Sequence, residues 1–313
     1  MSQGMTLSME PDEACLARLL HWLRDQGYRF IAPTPATHRR VLARTWSGPT
    51  TLRDVFGWSR PFSRGDLAAE CLMLMESAGV LEGDGDRCSS RLRVASLGED
   101  LFFHSAFPTD DTDAVFFGPD TYRFARFLQV RLPELARPAG MVDMGAGSGA
   151  GGICAARMVP EARLSLVDLN PAASRLARVN AAVAGVEAQT LESGSVPPGA
   201  DLVIANPPYM IDPAARAYRD GGGLLGGETA LQWVRQALSG LKPGGSILLY
   251  TGAAVTGGEA PLVTALKAVC AKCGATCSIE EIDPDVFGEE LDEPAYAEVE
   301  RIAVIGAVIT LRV

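Results

Sequence analysis

Apolar residues recur at helical spacing up to about residue 78 and alternate over two short segments that end at residue 104. From residue 120 they form short continuous runs between helical stretches. The first part predicts three helices, a turn and two short strands, over 13–30, 51–56, 63–78, 83–86, 90–95 and 100–104. Ser63 is a residue type that caps a helix start, and Gly79 is a type that ends one. Helices followed by a two-stranded wing are the order of a winged-helix domain, which binds DNA, RNA or protein, so the fold does not decide the function.

From residue 120 onwards, helices and short apolar strands alternate. The predicted helices cover 120–132, 149–159, 171–184, 228–239 and 259–273. The predicted strands cover 140–144, 164–168, 187–191, 201–205, 246–251, 276–281 and 300–312. This alternation indicates an α/β fold with a seven-stranded, doubly wound, mainly parallel sheet. A polar linker over 105–118 separates a smaller α+β domain, residues 1–110, from a catalytic domain, residues 111–313.

Composition narrows the class of protein. The chain has 313 residues, is 47% hydrophobic and carries a net charge of −10. An acidic total does not suit a general polyanion binder, although a local basic patch can lie within it. Seven scattered cysteines favour free thiols and a reducing compartment. No apolar run reaches the roughly 20 residues of a membrane span, and the N-terminus shows no secretory signal, so we expect a cytoplasmic protein that does not enter membranes.

A glycine loop follows the first strand of the predicted catalytic domain. The segment Gly145 to Gly149 lies between a strand and a helix, where glycines allow a tight turn and the helix start offers free N–H groups. Asp168 ends the next strand, 21 residues after Gly147, and can accept hydrogen bonds from a ribose. Asp168 or Asn170 could instead cap the following helix. Because a pyrophosphate beside Asp143 would be repelled, that carboxylate favours a ligand with an ammonium group.

A second motif, Asn206-Pro207-Pro208-Tyr209, directly follows another buried strand. Two prolines there cannot continue a ladder and stiffen the loop. In open α/β sheets, ligands bind at this end of the strands. A carboxamide at one end of such a loop and an aromatic ring at the other suit a flat polar group, although Asn-Pro is also a common turn signal.

Three segments carry a family resemblance: VDMGAGSG over 142–149, LVDLNP over 166–171 and LVIANPPY over 202–209. In this order and spacing they resemble class I S-adenosylmethionine-dependent methyltransferases that methylate nitrogen. The chain is most similar to HemK-type protein-(glutamine-N5) methyltransferases, over about 115–313. DNA adenine and some RNA methyltransferases share the tetrapeptide, so a nucleic-acid exocyclic amine stays an alternative to a protein glutamine. A nicotinamide-dependent oxidoreductase and a non-catalytic nucleic-acid-binding module are more distant alternatives.

The resemblance implies S-adenosylmethionine as cofactor and a set of residues that hold it: Asp143, Gly145, Ala146, Gly147, Gly149, Asp168, Leu169, Ser195 and Asn206. It also implies that the Asn206 side-chain oxygen and the Pro207 carbonyl accept hydrogen bonds from the acceptor NH₂. Pro208 would stiffen the loop, and Tyr209 would pack against the acceptor. The acceptor would be a macromolecule, with a protein favoured.

Four further features of the sequence bear on the prediction. Ser195 stands near the place where the family often has an acidic residue beside the adenine. Five glycines within 221–227 indicate either a mobile acceptor-side lid or a flexible connection. Cys270, Cys273 and Cys277 do not have a zinc-site spacing, so we expect no metal. The acidic run over 283–300 is either a solvated loop or a guard against polyanions.

Overall fold

The computed structural model describes residues 10–83, 87–109, 111–212, 216 and 218–312. Residues 1–9, read above for a secretory signal, lie outside these ranges, as does most of the turn predicted at 83–86. Of the helices in the described ranges, none is both long enough and apolar enough to cross a membrane.

The N-terminal unit contains helices followed by two small antiparallel sheets. Its helices are α1 (Pro11–Asp25), α2 (Pro35–Leu42), α3 (Leu52–Phe56) and α4 (Ala69–Ser77). Its strands are β1 (Leu81–Glu82), β2 (Ser89–Ser90), β3 (Leu92–Leu97) and β4 (Asp100–Ser105). β1 pairs with β2, and β3 forms a hairpin with β4. Helices followed by the β3–β4 hairpin are the predicted order, to which the structure adds α2 and the β1–β2 pair. The assignment of this unit as a winged helix stays a prediction.

Helix boundaries in this unit differ from the sequence prediction at three places. α1 ends at Asp25 because the chain turns at Gly27, whose φ is +68°. α2 was not predicted. Ser63 begins only a short 3₁₀ turn, in which its N–H donates to the Asp66 carboxylate at 2.9 Å. The chain is extended again at Leu67, so α4 starts later than expected.

The larger unit is built on one seven-stranded sheet. Its strands are β5 (Gly140–Met144), β6 (Arg163–Asp168), β7 (Ala188–Glu192), β8 (Leu202–Ala205), β9 (Ser246–Val255), β10 (Ala275–Asp283) and β11 (Arg301–Leu311). Its helices are α5 (Pro119–Arg131), α6 (Ala150–Met158), α7 (Pro171–Ala184), α8 (Glu228–Gly240) and α9 (Pro261–Lys272). These boundaries confirm the predicted alternation, mostly to within two residues.

The strand order is β10-β11-β9-β8-β5-β6-β7. β5 to β9 run parallel, and β11 lies antiparallel between β9 and β10. The chain leaves β5 towards β6 on one side and later returns to β8 on the other. Such a reversal opens a crevice at the carboxyl ends of the central strands, where ligands bind in this architecture.

The two units share one hydrophobic core. A single cluster of buried side chains runs from α1 through β3 and β4 into the helices of the sheet. Buried Glu13 of α1 accepts from the Arg178 guanidinium of α7 at 2.8 and 3.0 Å. Asn180, also on α7, is fully buried and bonds both the N–H and the carbonyl of Phe103, at 2.9 and 3.2 Å. The N-terminal unit is therefore packed directly on the helix that follows β6.

Candidate active site

A cavity of about 620 Å³ lies at the carboxyl ends of the central strands. The loops after β5, β6, β7 and β8 all line it, through 143–148, 168–171, 193–194 and 206–210. Most of the residues predicted for the site meet here. Gly149 and Ser195 do not line the cavity: Gly149 packs on Ala177 at the start of α6, and Ser195 is exposed. Ser193 and Gly194 occupy the position predicted for Ser195.

The glycine loop turns sharply between β5 and α6. Gly145, Gly147 and Gly149 have φ values of +70°, +54° and +80°, a region that other residues rarely adopt. A Cβ on Gly145 would overlap the indole of Trp233, which also lines the cavity. Ala146 lines the cavity between these glycines. The loop is therefore built for close approach of a ligand to its backbone.

Asp168 is tied to the glycine loop. Its carboxylate accepts from the Gly147 N–H at 2.8 Å and from the Asn170 N–H at 2.9 Å, and burial raises its pKa. The cap of α7 is Asn170, whose side chain accepts from the Ala172 N–H at 2.9 Å. Leu169, next to Asp168, is 70% exposed in the cavity wall. A carboxylate beside an uncovered apolar side chain fits a ribose joined to a purine, so these residues fit S-adenosylmethionine.

Asp143 is buried beneath the same loop. It is 2% exposed and accepts from the Gly152 N–H at 2.7 Å. Burial, with a smaller contribution from the nearby Asp168, raises its pKa to about 7. Because a cation would stabilise its ionised form, Asp143 fits the ammonium group that the sequence predicted for this position.

The loop from Asn206 to Tyr209 forms the other wall. The Asn206 carboxamide lines the cavity and has no hydrogen-bond partner among the described residues. Pro207 and Pro208 follow it along the wall, and Tyr209 is nearly buried. The free carboxamide and the rigid loop are the features that the predicted acceptor site requires.

Asp120 holds the end of this loop, a role that the sequence did not reveal. It is 5% exposed at the start of α5 and lines the cavity. It accepts from the Tyr209 hydroxyl and, at 2.9 Å, from the Tyr250 hydroxyl. Burial raises the pKa of Asp120. The Tyr209 hydroxyl is therefore directed into the protein, and only the ring can face an acceptor.

The glycine segment 221–227 supports the same loop from behind. The Gly221 N–H donates to the Met210 carbonyl at 2.7 Å, and the Met210 N–H donates to the Arg219 carbonyl at 3.0 Å. A Cβ on Gly226 would overlap the Tyr209 carbonyl. In these contacts the glycines allow two backbone segments to pack together. A mobile lid stays a prediction.

Charged groups around the cavity are mostly acidic. Its charged lining residues are Asp113, Asp120, Asp143, Asp168, Arg219 and Asp220. The one cation in this set, Arg219, pairs with Glu290 at 2.5 Å. The acidic run after residue 283 therefore reaches the site through Glu290 and Phe287, whose ring lies edge-on to Tyr209. An acidic cavity favours a cationic cofactor and disfavours a phosphate.

Comparison with known proteins decides the family. The model of the methyltransferase small domain matches residues 115–273, which hold the glycine loop, Asp168 and the Asn-Pro-Pro-Tyr loop. The chain belongs to this family. The match confirms the prediction of a methyltransferase of the class I type, with a Rossmann-like sheet and S-adenosylmethionine as its cofactor.

Two curated relatives show how far the likeness extends. A release factor glutamine methyltransferase of Deinococcus radiodurans is 30% identical over 179 residues, covering 52% of this chain and 63% of that protein. A 4-amino-L-phenylalanine/4-methylamino-L-phenylalanine methyltransferase of Streptomyces pristinaespiralis is 33% identical over 156 residues, covering 43% and 52%. The methyltransferase thus spans about half to two thirds of the length of these relatives.

Among solved structures, Trm5b of Pyrococcus abyssi aligns over 74% of this chain and 62% of its own, with 16% identity and a TM-score of 0.49. An identity of 16% and a TM-score below 0.5 do not indicate which acceptor this chain methylates.

Within the part of the methyltransferase that the structure describes, no group of three or more His, Cys, Asp or Glu could hold a metal ion. Cys270, Cys273 and Cys277 are free thiols.

Proposed function

We propose that this chain transfers a methyl group from S-adenosylmethionine to the side-chain amide nitrogen of a protein glutamine. The observation that carries the proposal is the unpartnered Asn206 carboxamide in the wall of an acidic cavity. The name of the Deinococcus radiodurans relative points to the same acceptor. The predicted site roles of Asn206 to Tyr209 are part of this proposal.

The cofactor, when bound, supplies a methyl group on a positively charged sulfur. Asp168 and Leu169 would hold its nucleoside part, and Asp143 with the glycine loop would hold its amino-acid part. The chain's own work is then to bind, orient and exclude water. No step requires a strong general base, because an amide nitrogen that has gained a methyl group loses its proton readily to water.

Asn206 and Pro207 would act on the acceptor. An amide nitrogen is a poor nucleophile because its lone pair is shared with the carbonyl. Two fixed acceptors, the Asn206 side-chain oxygen and the Pro207 carbonyl, would bind the two N–H groups and favour a pyramidal nitrogen whose lone pair points at the methyl carbon. The ring of Tyr209, held by Asp120, would form a flat wall beside the acceptor.

The charge of the cavity favours an amide over a nucleotide. A flipped base carries phosphates on both sides, and these need cations near the site. The cavity lining has five carboxylates and one arginine, which is already paired with Glu290. A glutamine side chain is neutral and meets no such penalty.

The test is methylation with S-adenosylmethionine tritiated in its methyl group, using protein and nucleic acid from a bacterial extract as acceptors. We expect label that protease removes and nuclease does not. Acid hydrolysis of an N-methylated glutamine yields glutamate and methylamine, so the label should leave as methylamine. Asn206→Ala should abolish labelling while its affinity for S-adenosylhomocysteine, measured by calorimetry, stays within twofold. Label that nuclease removes, or that stays on an amino acid after hydrolysis, would overturn the proposal.

A free aromatic amine is the second candidate. Phe116 and Tyr218 both line the cavity, with near-parallel ring planes and centroids 6.3 Å apart, and they offer an aromatic surface to a flat ring. The name of the Streptomyces pristinaespiralis relative describes such an acceptor. Methylation of 4-aminophenylalanine with kcat/KM above that of every protein fraction would favour this candidate.

A further inference from the structure

One segment of the acidic chain has only positive charges. Between Asp25 and Asp54 there is no Asp or Glu, while five arginines occur: Arg29, Arg39, Arg40, Arg44 and Arg53. The chain as a whole carries a net charge of −10. The segment therefore forms a local reversal of the protein's electrostatic field.

The structure leaves three of these arginines exposed and unpaired. Arg39 and Arg40 lie on α2 and Arg44 follows it; none of their side chains has a hydrogen bond or ion pair with any described residue. Trp46, two residues further, is 53% exposed, with the Arg60 guanidinium 5.2 Å from its ring centre. By contrast, Arg29 of the same segment pairs with Glu99 at 2.6 Å. We name Arg39, Arg40, Arg44 and Trp46 the arginine face.

The arginine face lies close to the cavity. Pro35, the first residue of α2, lines the cavity, and α2 with its eight residues is only about 12 Å long. His38 of α2 stacks on Phe107, with ring centres 4.1 Å apart. Thr109 follows Phe107 by two positions, and its carbonyl accepts a hydrogen bond from the Tyr218 hydroxyl at 2.6 Å. These contacts connect α2 to Tyr218 in the cavity wall, so a molecule seated on the face would lie close to the cavity.

The helix that would read DNA in a winged helix does not offer such a surface. α4 carries Glu70 and Glu76 and no basic residue, and its exposed apolar side chain is Met73. Acidic groups also occur at the cavity mouth, where Asp113 lines the cavity and Asp111 is exposed. A strand of uniformly spaced phosphates would meet these acids, whereas a protein can present carboxylates to the arginines alone.

We propose that the arginine face is a docking surface for a carboxylate-rich segment of the protein acceptor. The inference rests on the proposed function only in taking the acceptor to be a protein. Three guanidiniums attract carboxylates, and Trp46 supplies an aromatic contact; arginine and tryptophan are both enriched among the residues that dominate binding energy at protein interfaces. Docking there would hold the acceptor while its glutamine enters the cavity.

The test measures binding without methyl transfer, so its failure and that of the proposed function are distinguishable. The probes are a fluorescein-labelled peptide of twelve glutamates and a fluorescein-labelled single-stranded RNA of twelve nucleotides, followed by anisotropy at low salt. We expect the unaltered chain to bind the peptide, and the triple variant R39E/R40E/R44E to weaken that binding at least tenfold. A matched variant, R18E/R126E/R163E, changes the net charge equally at exposed arginines elsewhere and should stay within twofold of the unaltered chain.

Three results would overturn the proposal. The peptide shows no binding, or both triple variants weaken it equally, or the RNA binds more tightly than the peptide and only R39E/R40E/R44E loses it. The last result would assign the arginine face to a nucleic acid. Calorimetry with S-adenosylhomocysteine checks that each variant is folded.

Discussion

The Tyr209 hydroxyl donates a hydrogen bond to the buried carboxylate of Asp120, a residue 89 positions earlier in the chain. The bond joins the first helix of the sheet unit to the acceptor loop. Tyr250 donates to the other oxygen of the same carboxylate at 2.9 Å. Asp120 is therefore a positioning residue that fixes Tyr209 in one orientation.

Asp120→Asn should lower methyl transfer more than cofactor binding, because an amide offers only one acceptor to two hydroxyl donors. We expect kcat to fall about tenfold to a hundredfold, with affinity for S-adenosylhomocysteine nearly unchanged. If Asp120 acts through Tyr209, then Tyr209→Phe and the double variant form a non-additive cycle, with a coupling of about 1–3 kcal/mol. Additive effects on kcat would show that the two residues act independently.

Gly226→Ala should damage the acceptor loop. Gly226 has φ +89° and no room for a Cβ against the Tyr209 carbonyl, so the backbone must shift there. We expect at least a tenfold loss of kcat. Gly223→Ala is the control within the same segment, because its Cβ would meet nothing closer than 3.9 Å. Equal losses in both variants would indicate that flexibility, rather than close packing, is what the glycines provide.

Cofactor affinity should rise with pH through neutrality. Burial raises the pKa of Asp143 to about 7, so the carboxylate that attracts an ammonium is mostly protonated at pH 6 and mostly ionised at pH 8. We expect the Kd for S-adenosylhomocysteine to be about tenfold lower at pH 8 than at pH 6. The variant Asp143→Asn should bind S-adenosylhomocysteine at both pH values with the weak affinity that the unaltered chain shows at pH 6.

The same pKa shift affects stability in the opposite sense. A raised carboxyl pKa stabilises the cofactor-free fold below the unfolded pKa near 3.9, and this contribution is lost as the pH rises through about 7. Asp143→Asn should therefore be stabilised relative to the unaltered chain at pH 8 and not at pH 4. A stability difference that does not change with pH would show that Asp143 is ionised in the cofactor-free protein.

Asn180→Ala should destabilise the whole chain. The Asn180 side chain satisfies the Phe103 N–H and carbonyl and also donates to the Ser148 carbonyl at 2.9 Å, all of them buried. Leaving buried polar groups unpaired costs about 1–3 kcal/mol each. We expect urea unfolding to show a loss of at least about 2 kcal/mol. Asn170→Ala, which removes the cap of the same helix and an exposed hydrogen bond to the Asp113 carbonyl, should lose about 1 kcal/mol.

The sheet could be predicted from the sequence because strand and helix patterns alternate over most of the chain after residue 120. α2 was missed because only His38 of its eight residues is buried, which leaves no apolar periodicity. The remaining signal was Thr34 followed by Pro35, a cap residue with proline at the first helical position. The break before α4 was missed because Ser63 does begin a helical turn, though a 3₁₀ turn that stops at Asp66.

At the site, the motif residues could be placed but their supports could not. An acid in the first turn of a helix is common, since it interacts with the helix dipole, so nothing in the sequence marked Asp120 as buried. The glycines of 221–227 suggested mobility because the sequence does not show the Tyr209 carbonyl that requires them. Both supports come from residues that lie far apart along the chain, and only folding brings them together.

The packing of α1 on α7 has a consequence for engineered chimeras. A recognition unit joined by a linker can be exchanged for another, but here Glu13 and the Phe103 backbone satisfy Arg178 and Asn180 on the helix behind the donor pocket. Any replacement unit must supply a carboxylate and a peptide group at the same two points. Without them, Arg178 keeps only its bond to the Thr190 hydroxyl, and the buried Asn180 amide loses two of its three hydrogen bonds. Exchanging the recognition unit therefore disturbs the helix behind the donor pocket.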